Sequence, residues 1–226
     1  MKTDAAPRVV EIVGLAGAGK STLSHVLKRT NASVRLCNFP NVRKISAAPF
    51  FVWNGLQVSL ALRNLEHDHS RKLTRREFAW LSILNGWPAC LQRELPDQFI
   101  VLDQGPVYLL TELSEFGPEY LRSDAADHFW RRLHSRWAGT LDAIIWLEAA
   151  DVDLLKRIRT RDKEHVVKRK SDQTTLAFLD LYRRAYERVI LKLTMTHSDL
   201  KIIRLDTSQL SAEETVNQLS SELGIA

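Results

Sequence analysis

Two hydrophobic rhythms alternate along the chain. Short apolar, β-branched runs recur at residues 8–13, 33–38, 98–103, 141–148 and 201–206. Runs of that length without polar alternation predict strands buried on both faces of a parallel sheet. Between them, apolar residues return every three or four positions, the spacing of a helix with one buried face. This predicts helices over 21–28, 55–69, 74–95, 119–137, 174–197 and 211–224, with others starting at Pro106 and Asp151. Thr74 and Glu77 form a capping box for the helix that follows. Gly86 and Pro88 predict that this helix bends or divides. Residues 39–54 show neither rhythm and read as irregular. Five strands alternating with helices predict an α/β fold: a five-stranded parallel sheet flanked by helices, with right-handed crossovers. The ligand crevice of such a sheet lies at the C-terminal ends of its strands.

At 226 residues, 45% of them hydrophobic, the chain fits one domain over 1–226 with a sizeable core. Cys37 and Cys90 read as free, buried thiols of a reducing compartment. No apolar run reaches the roughly 18 residues of a membrane span, and Met1-Lys2-Thr3-Asp4 shows no apolar signal region. A cytoplasmic location without membrane association is the expectation. His67 and His69 are two apart on a predicted helix, so they point different ways and read as surface residues, not a metal pair. The net charge of +5 suits anionic ligands. It is concentrated in 156–170, where Lys156, Arg157, Arg159, Arg161, Lys163, Lys168, Arg169 and Lys170 face only Asp162 and Glu164.

The most specific chemistry is Gly14-Leu15-Ala16-Gly17-Ala18-Gly19-Lys20-Ser21, followed by Thr22. It fits the phosphate-loop pattern G-x-x-x-x-G-K-[ST], with a strand before it and a helix after it. Glycines let successive N–H groups turn inward around a phosphate, and the helix N-terminus adds its positive end. Gly14, Ala16, Gly17, Ala18, Gly19, Lys20, Ser21 and Thr22 are therefore the expected nucleotide-binding residues. Lys20 would reach the β- and γ-phosphates, and Ser21 would ligate Mg²⁺. Asp103 ends an apolar strand, as the acid of a Walker B strand does. It would either organise that Mg²⁺ or act as base on an acceptor hydroxyl.

The D-x-x-G and N-K-x-D motifs of a GTPase are absent, as is the signature loop of transporter ATPases. The basic cluster, a lid over about 157–173, would exclude water and stabilise a transferring phosphoryl group through Arg157 and Arg161. Lys156, Lys168 and Lys170 read as a solvated face. The combination predicts ATP- and Mg²⁺-dependent transfer to a small-molecule acceptor. The acceptor side would fall in 39–97, with Phe50, Trp53 and Arg76 in its pocket; the aromatic run equally suits a plug under a loop. A nucleic-acid 5′-kinase would need a basic groove with stacking faces, and 39–60 carries few charges. A kinase of a non-nucleotide molecule and a phosphate-loop ATPase remain alternatives.

Four places spanning most of the chain resemble the thymidylate kinase and deoxynucleoside kinase group. They are Gly14–Thr22, Leu102-Asp103-Gln104, Arg157–Glu164 with the helix around 178–186, and Leu205–Gln209 with Glu213-Glu214. The resemblance implies ATP on the phosphate loop, Mg²⁺ near Ser21 and Asp103, and Arg157 and Arg161 on the phosphates. It implies backbone around Thr207 and Ser208 beside the base, a nucleoside or nucleoside monophosphate as acceptor, and a homodimer. The chain departs from the group twice. Gln104 stands where the group has arginine, and Asn38-Phe39-Pro40 stands where it has a Glu-Pro run. Both departures fall on the acceptor side.

Overall fold

The computed structural model describes residues 9–40, 44–63, 65, 71–92, 99–162 and 164–224. Strands β1 (Val9–Gly14), β2 (Val34–Cys37), β3 (Phe99–Leu102), β4 (Ala143–Glu148) and β5 (Lys201–Asp206) form one all-parallel sheet. Its order is β2-β3-β1-β4-β5, so the strand that enters the phosphate loop lies at the centre. All six residues of β1 and all four of β3 are buried, which is why these strands show no polar alternation. The predicted parallel sheet is present with every expected strand.

The helices are α1 (Lys20–Thr30), α2 (Ala48–Leu62), α3 (Arg75–Leu91), α4 (Pro106–Phe116), α5 (Glu119–Arg122), α6 (Asp127–Ala138), α7 (Asp151–Thr160), α8 (Asp172–Thr196) and α9 (Ala212–Leu223). Three differ from expectation. First, α2 begins at Ala48, so Phe50, Phe51 and Trp53 are helical and not a loop. Pro49 sits in its first turn, where a missing N–H costs nothing. The segment has apolar residues on every side, so no 3.6-residue rhythm marks its start.

Second, α3 runs unbroken past Gly86 and Pro88. Pro88 has no N–H to give to the carbonyl of Leu84. The indole of the fully buried Trp137 donates to that oxygen instead, at 3.0 Å. One residue on, the Arg136 guanidinium donates to Asn85 O at 2.9 Å. Third, the helix expected over 119–137 is divided. Ser123 is extended, and the Trp130 indole donates to Leu121 O at 2.6 Å, satisfying the end of α5.

The capping box at Thr74 is present, with Glu77 N donating to the Thr74 hydroxyl at 3.2 Å and Thr74 N to Glu77 Oε2 at 2.8 Å. Cys37 and Cys90 are free as expected, but neither is buried: Cys37 is half-buried at the end of β2 and Cys90 is exposed on α3. His67, His69 and Lys163 lie outside the described residues. Among the described residues no helix is long and apolar enough to cross a membrane.

Candidate active site

The phosphate loop leaves β1 and re-enters α1 through two glycines in left-handed backbone, Gly17 at φ 87° and Gly19 at φ 92°. L-residues with side chains rarely adopt that conformation, so these two positions shape the concave loop. Gly19 is the N-cap of α1 and has no side-chain cap, which leaves the helix N-terminus facing the loop. The Lys20 ammonium lies across the concavity, donating to Gly14 O at 2.7 Å and Leu15 O at 3.0 Å.

Asp103 follows β3 and meets α1. Ser21 Oγ donates to its Oδ2 at 3.1 Å and Ser24 Oγ to its Oδ1 at 3.3 Å. Ser21 and Asp103, 82 residues apart in sequence, are therefore brought together as expected. Among the described residues no cluster of three or more His, Cys, Asp or Glu would hold a metal ion alone. One hydroxyl beside one carboxylate at a phosphate cradle fits a hard cation that takes its remaining oxygens from phosphate and water, as Mg²⁺ does.

On one side of the loop lies a cleft of about 520 Å³, lined by Gly17, Lys20, Ser21, Arg157, Arg161 and Thr207 among others. Arg157 sits at its back. Its guanidinium donates to Gly17 O at 3.3 Å, Thr207 Oγ1 at 2.9 Å and Thr207 O at 2.6 Å. The Thr207 hydroxyl is also 3.2 Å from Ala18 O. Arg157 thus ties the phosphate loop to the turn after β5. Ala18 is buried behind the loop, with its carbonyl facing Thr207. Ser208 turns away from the cleft and accepts from Ala150 N at 2.8 Å.

On the other side, a cavity of about 410 Å³ is lined by Lys20, Ser21, Asp103, Arg76, Glu112 and Arg161 among others. It shares Arg76, Asp103 and Gln104 with a further cavity of about 640 Å³, walled by Phe39, Trp80 and Ile83. Arg76 stacks over the Trp80 ring at 4.2 Å, and Trp80 meets Tyr108 edge to face at 6.0 Å. Phe50 and Trp53 line a separate groove with Asn85 and Arg136. Of the three expected pocket residues, only Arg76 faces the phosphate loop.

Two carboxylates missed by sequence reasoning line the 410 Å³ cavity. Glu112 accepts the Tyr182 hydroxyl at 2.8 Å, and burial raises its pKa above the ordinary carboxylate range. The same burial, with Glu112 beside it, raises Tyr182. Glu11, on β1, is completely buried, and desolvation pushes it up to about 8 against three backbone N–H donors that favour its anion. A carboxylate inside an otherwise apolar strand was the available signal for Glu11.

In the basic segment, Arg159 donates to the carbonyls of Val167, Lys168 and Lys170 and pairs with Asp172 at 2.9 Å. Lys168 donates to Arg161 O. These two cations hold the connection between α7 and α8 in shape. Arg161, at the C-terminus of α7, lines both the 520 Å³ cleft and the 410 Å³ cavity.

No family model matches the chain, and no curated protein matches it in sequence. Solved structures do match its fold. The thymidylate kinase of Candida albicans aligns with a TM-score of 0.55 at 18% identity, covering 98% of this chain and 93% of that one. A deoxyadenosine kinase of M. mycoides, solved with bound dATP, aligns at 0.51 and 13%, covering 96% and 99%. The YorR protein of Bacillus subtilis, solved in complex with phosphorylated GDP, aligns at 0.54 and 14%, covering 96% of each chain. The chain therefore has the fold of the thymidylate and deoxynucleoside kinase group.

Proposed function

We propose that the protein transfers the γ-phosphoryl group of ATP to a small-molecule acceptor, a nucleoside or nucleoside monophosphate. The observation that carries this reading is a shared wall. Lys20, Ser21 and Arg161 line both the phosphate-loop cleft and the cavity that reaches Asp103 and α3. Transfer needs donor and acceptor to meet at one phosphoryl position, surrounded by fixed positive charge. A protein that only binds or hydrolyses ATP needs no second cavity at the phosphate end. The aromatic faces of Phe39 and Trp80 beside Arg76 suit a flat, hydrogen-bonding acceptor such as a nucleobase. The names of the fold relatives, a thymidylate kinase and a deoxyadenosine kinase, support the same class.

In this reading Lys20 and the loop amides bind the β- and γ-phosphates. Ser21 and Asp103 hold Mg²⁺, which supplies charge neutralisation on the phosphate oxygens. The two hydroxyl contacts of Asp103 support that role over the role of a base. Arg161 faces the transferring group from the α7 end, and Arg157 fixes the loop. The turn at Thr207 and Ser208 flanks the adenine. The basic connection 161–171 serves as the lid that excludes water.

The test is ADP release measured with nucleosides, nucleoside monophosphates, sugars, amino alcohols and polynucleotide 5′ ends as acceptors. Nucleosides or their monophosphates should accelerate release, and Lys20→Ala should abolish it. Undiminished turnover in Lys20→Ala would sink the site, and acceleration by polynucleotide ends alone would sink the acceptor class.

A further inference from the structure

The N-terminus of α4 has an unusual cap. Its N-cap, Gly105, offers no side chain, and Pro106 offers no N–H. The amides left at this end are those of Gly105, Val107 and Tyr108, and all three donate to one side chain on another element. Gly105 N is 2.9 Å from Glu11 Oε1, Val107 N is 2.8 Å from Glu11 Oε2, and Tyr108 N is 3.2 Å from Glu11 Oε1. The next amide, Leu109 N, starts the regular helix by donating to Gly105 O at 3.2 Å. A single carboxylate therefore completes the hydrogen bonding of the first turn of α4.

The geometry leaves room for nothing else. A Cβ at position 105 would stand 2.6 Å from Glu11 Cδ, so glycine there lets the backbone close on the carboxylate. Glu11 is itself fixed, because it lies opposite Leu102 in the β1–β3 ladder. The chain from Leu102 to Gly105 is thus held at both ends by one residue: through the strand ladder at 102 and through the side chain at 105. Between those anchors lie Asp103, bonded to Ser21 and Ser24, and Gln104, which faces the acceptor side.

We propose that Glu11 is a positioning residue for phosphoryl transfer, stapling the 102–105 turn so that Asp103 stands against Ser21. The proposal rests on the phosphoryl-transfer reading above. Glu11, fully buried in the wall of the 410 Å³ cavity, acts in it through Asp103. Glu11→Ala removes all three of these acceptor contacts, which frees the turn to move outward. A misplacement of about 1 Å at a reacting centre lowers turnover up to roughly 100-fold.

The experiment measures ADP release from ATP across a Mg²⁺ titration, with fluorescent-ATP binding in EDTA alongside. For Glu11→Ala the expected result is turnover reduced about 10- to 100-fold, a higher Mg²⁺ requirement and unchanged binding in EDTA. Gly105→Ala, which forces the turn away while keeping the carboxylate, should show the same split. Wild-type turnover and Mg²⁺ dependence in a folded variant would overturn the proposal, as would loss of nucleotide binding in EDTA equal to the loss of turnover. Amide hydrogen exchange at 105–108 in the wild-type chain needs no variant. Adding Mg²⁺ and ADP should slow it relative to ADP in EDTA, and equal exchange would overturn the proposal. If wild-type chain releases no ADP with any acceptor, the phosphoryl-transfer reading fails, while the exchange result still judges the staple.

Discussion

Trp137→Phe, made with and without Pro88→Ala, tests how α3 survives its internal proline. In the wild type, Leu84 O receives the Trp137 indole at 3.0 Å, and Pro88 can supply no helical N–H. Phenylalanine removes that donor in a fully buried position. Leaving a buried carbonyl without a partner costs about 1–3 kcal/mol, and the smaller ring adds about 1–2 kcal/mol of lost packing. The substitution should therefore destabilise the wild type by about 2–5 kcal/mol. In the Pro88→Ala background, the backbone N–H restored at position 88 can donate to Leu84 O, so only the packing loss remains. Urea denaturation of the four proteins should give a coupling of about 1–3 kcal/mol between positions 88 and 137. Additivity within about 0.5 kcal/mol would refute the exchange of one donor for the other.

Two further outcomes follow from the site. Burial holds Glu11 at about 8 in the folded chain, above the ordinary 4.5. The folded state then keeps a proton that the unfolded chain loses, so this contribution is full below the ordinary value and fades as pH rises toward 8. The stability of the wild type relative to Glu11→Gln should fall between pH 5 and 8, by at most about 1.4 kcal/mol per pH unit; a difference independent of pH would refute it. Arg157→Lys keeps the charge but loses the fork that bonds Gly17 and Thr207 together. ATP affinity by calorimetry should drop about tenfold, the worth of roughly one charge-assisted hydrogen bond, and unchanged affinity would show that the fork does not shape the cleft.

Legibility followed the range of the signal. The phosphate loop was readable because two left-handed glycines, a lysine and a hydroxyl are a local constraint written within eight residues. Asp103 was readable because a buried strand ending in a carboxylate is equally local. The start of α2 was not, since Phe50, Phe51 and Trp53 surround the helix with apolar groups and erase its rhythm. The unbroken α3 was not, because what satisfies Leu84 O comes from a side chain 53 positions away. Glu112 and Tyr182 meet only through the packing of α4 on α8, and in sequence each was one more position on a helix. Glu11 was visible as an oddity in an apolar strand, but its partners lie 94 to 97 residues further on.

The strand order has a consequence for biosynthesis. β1 and β2 are made first, yet they do not pair with each other; β2 pairs with β3, and β1 lies between β3 and β4. Gly14, at the mouth of the phosphate loop, is opposite Leu147, and Ala18 O receives the Thr207 hydroxyl. A growing chain therefore carries its complete phosphate-loop motif long before it has the walls that give the loop its shape. From Ser21 to Thr207 takes about 10–40 s of translation. Throughout that interval the nascent protein holds the nucleotide signature without the pocket, and the site closes only once Thr207 has been made.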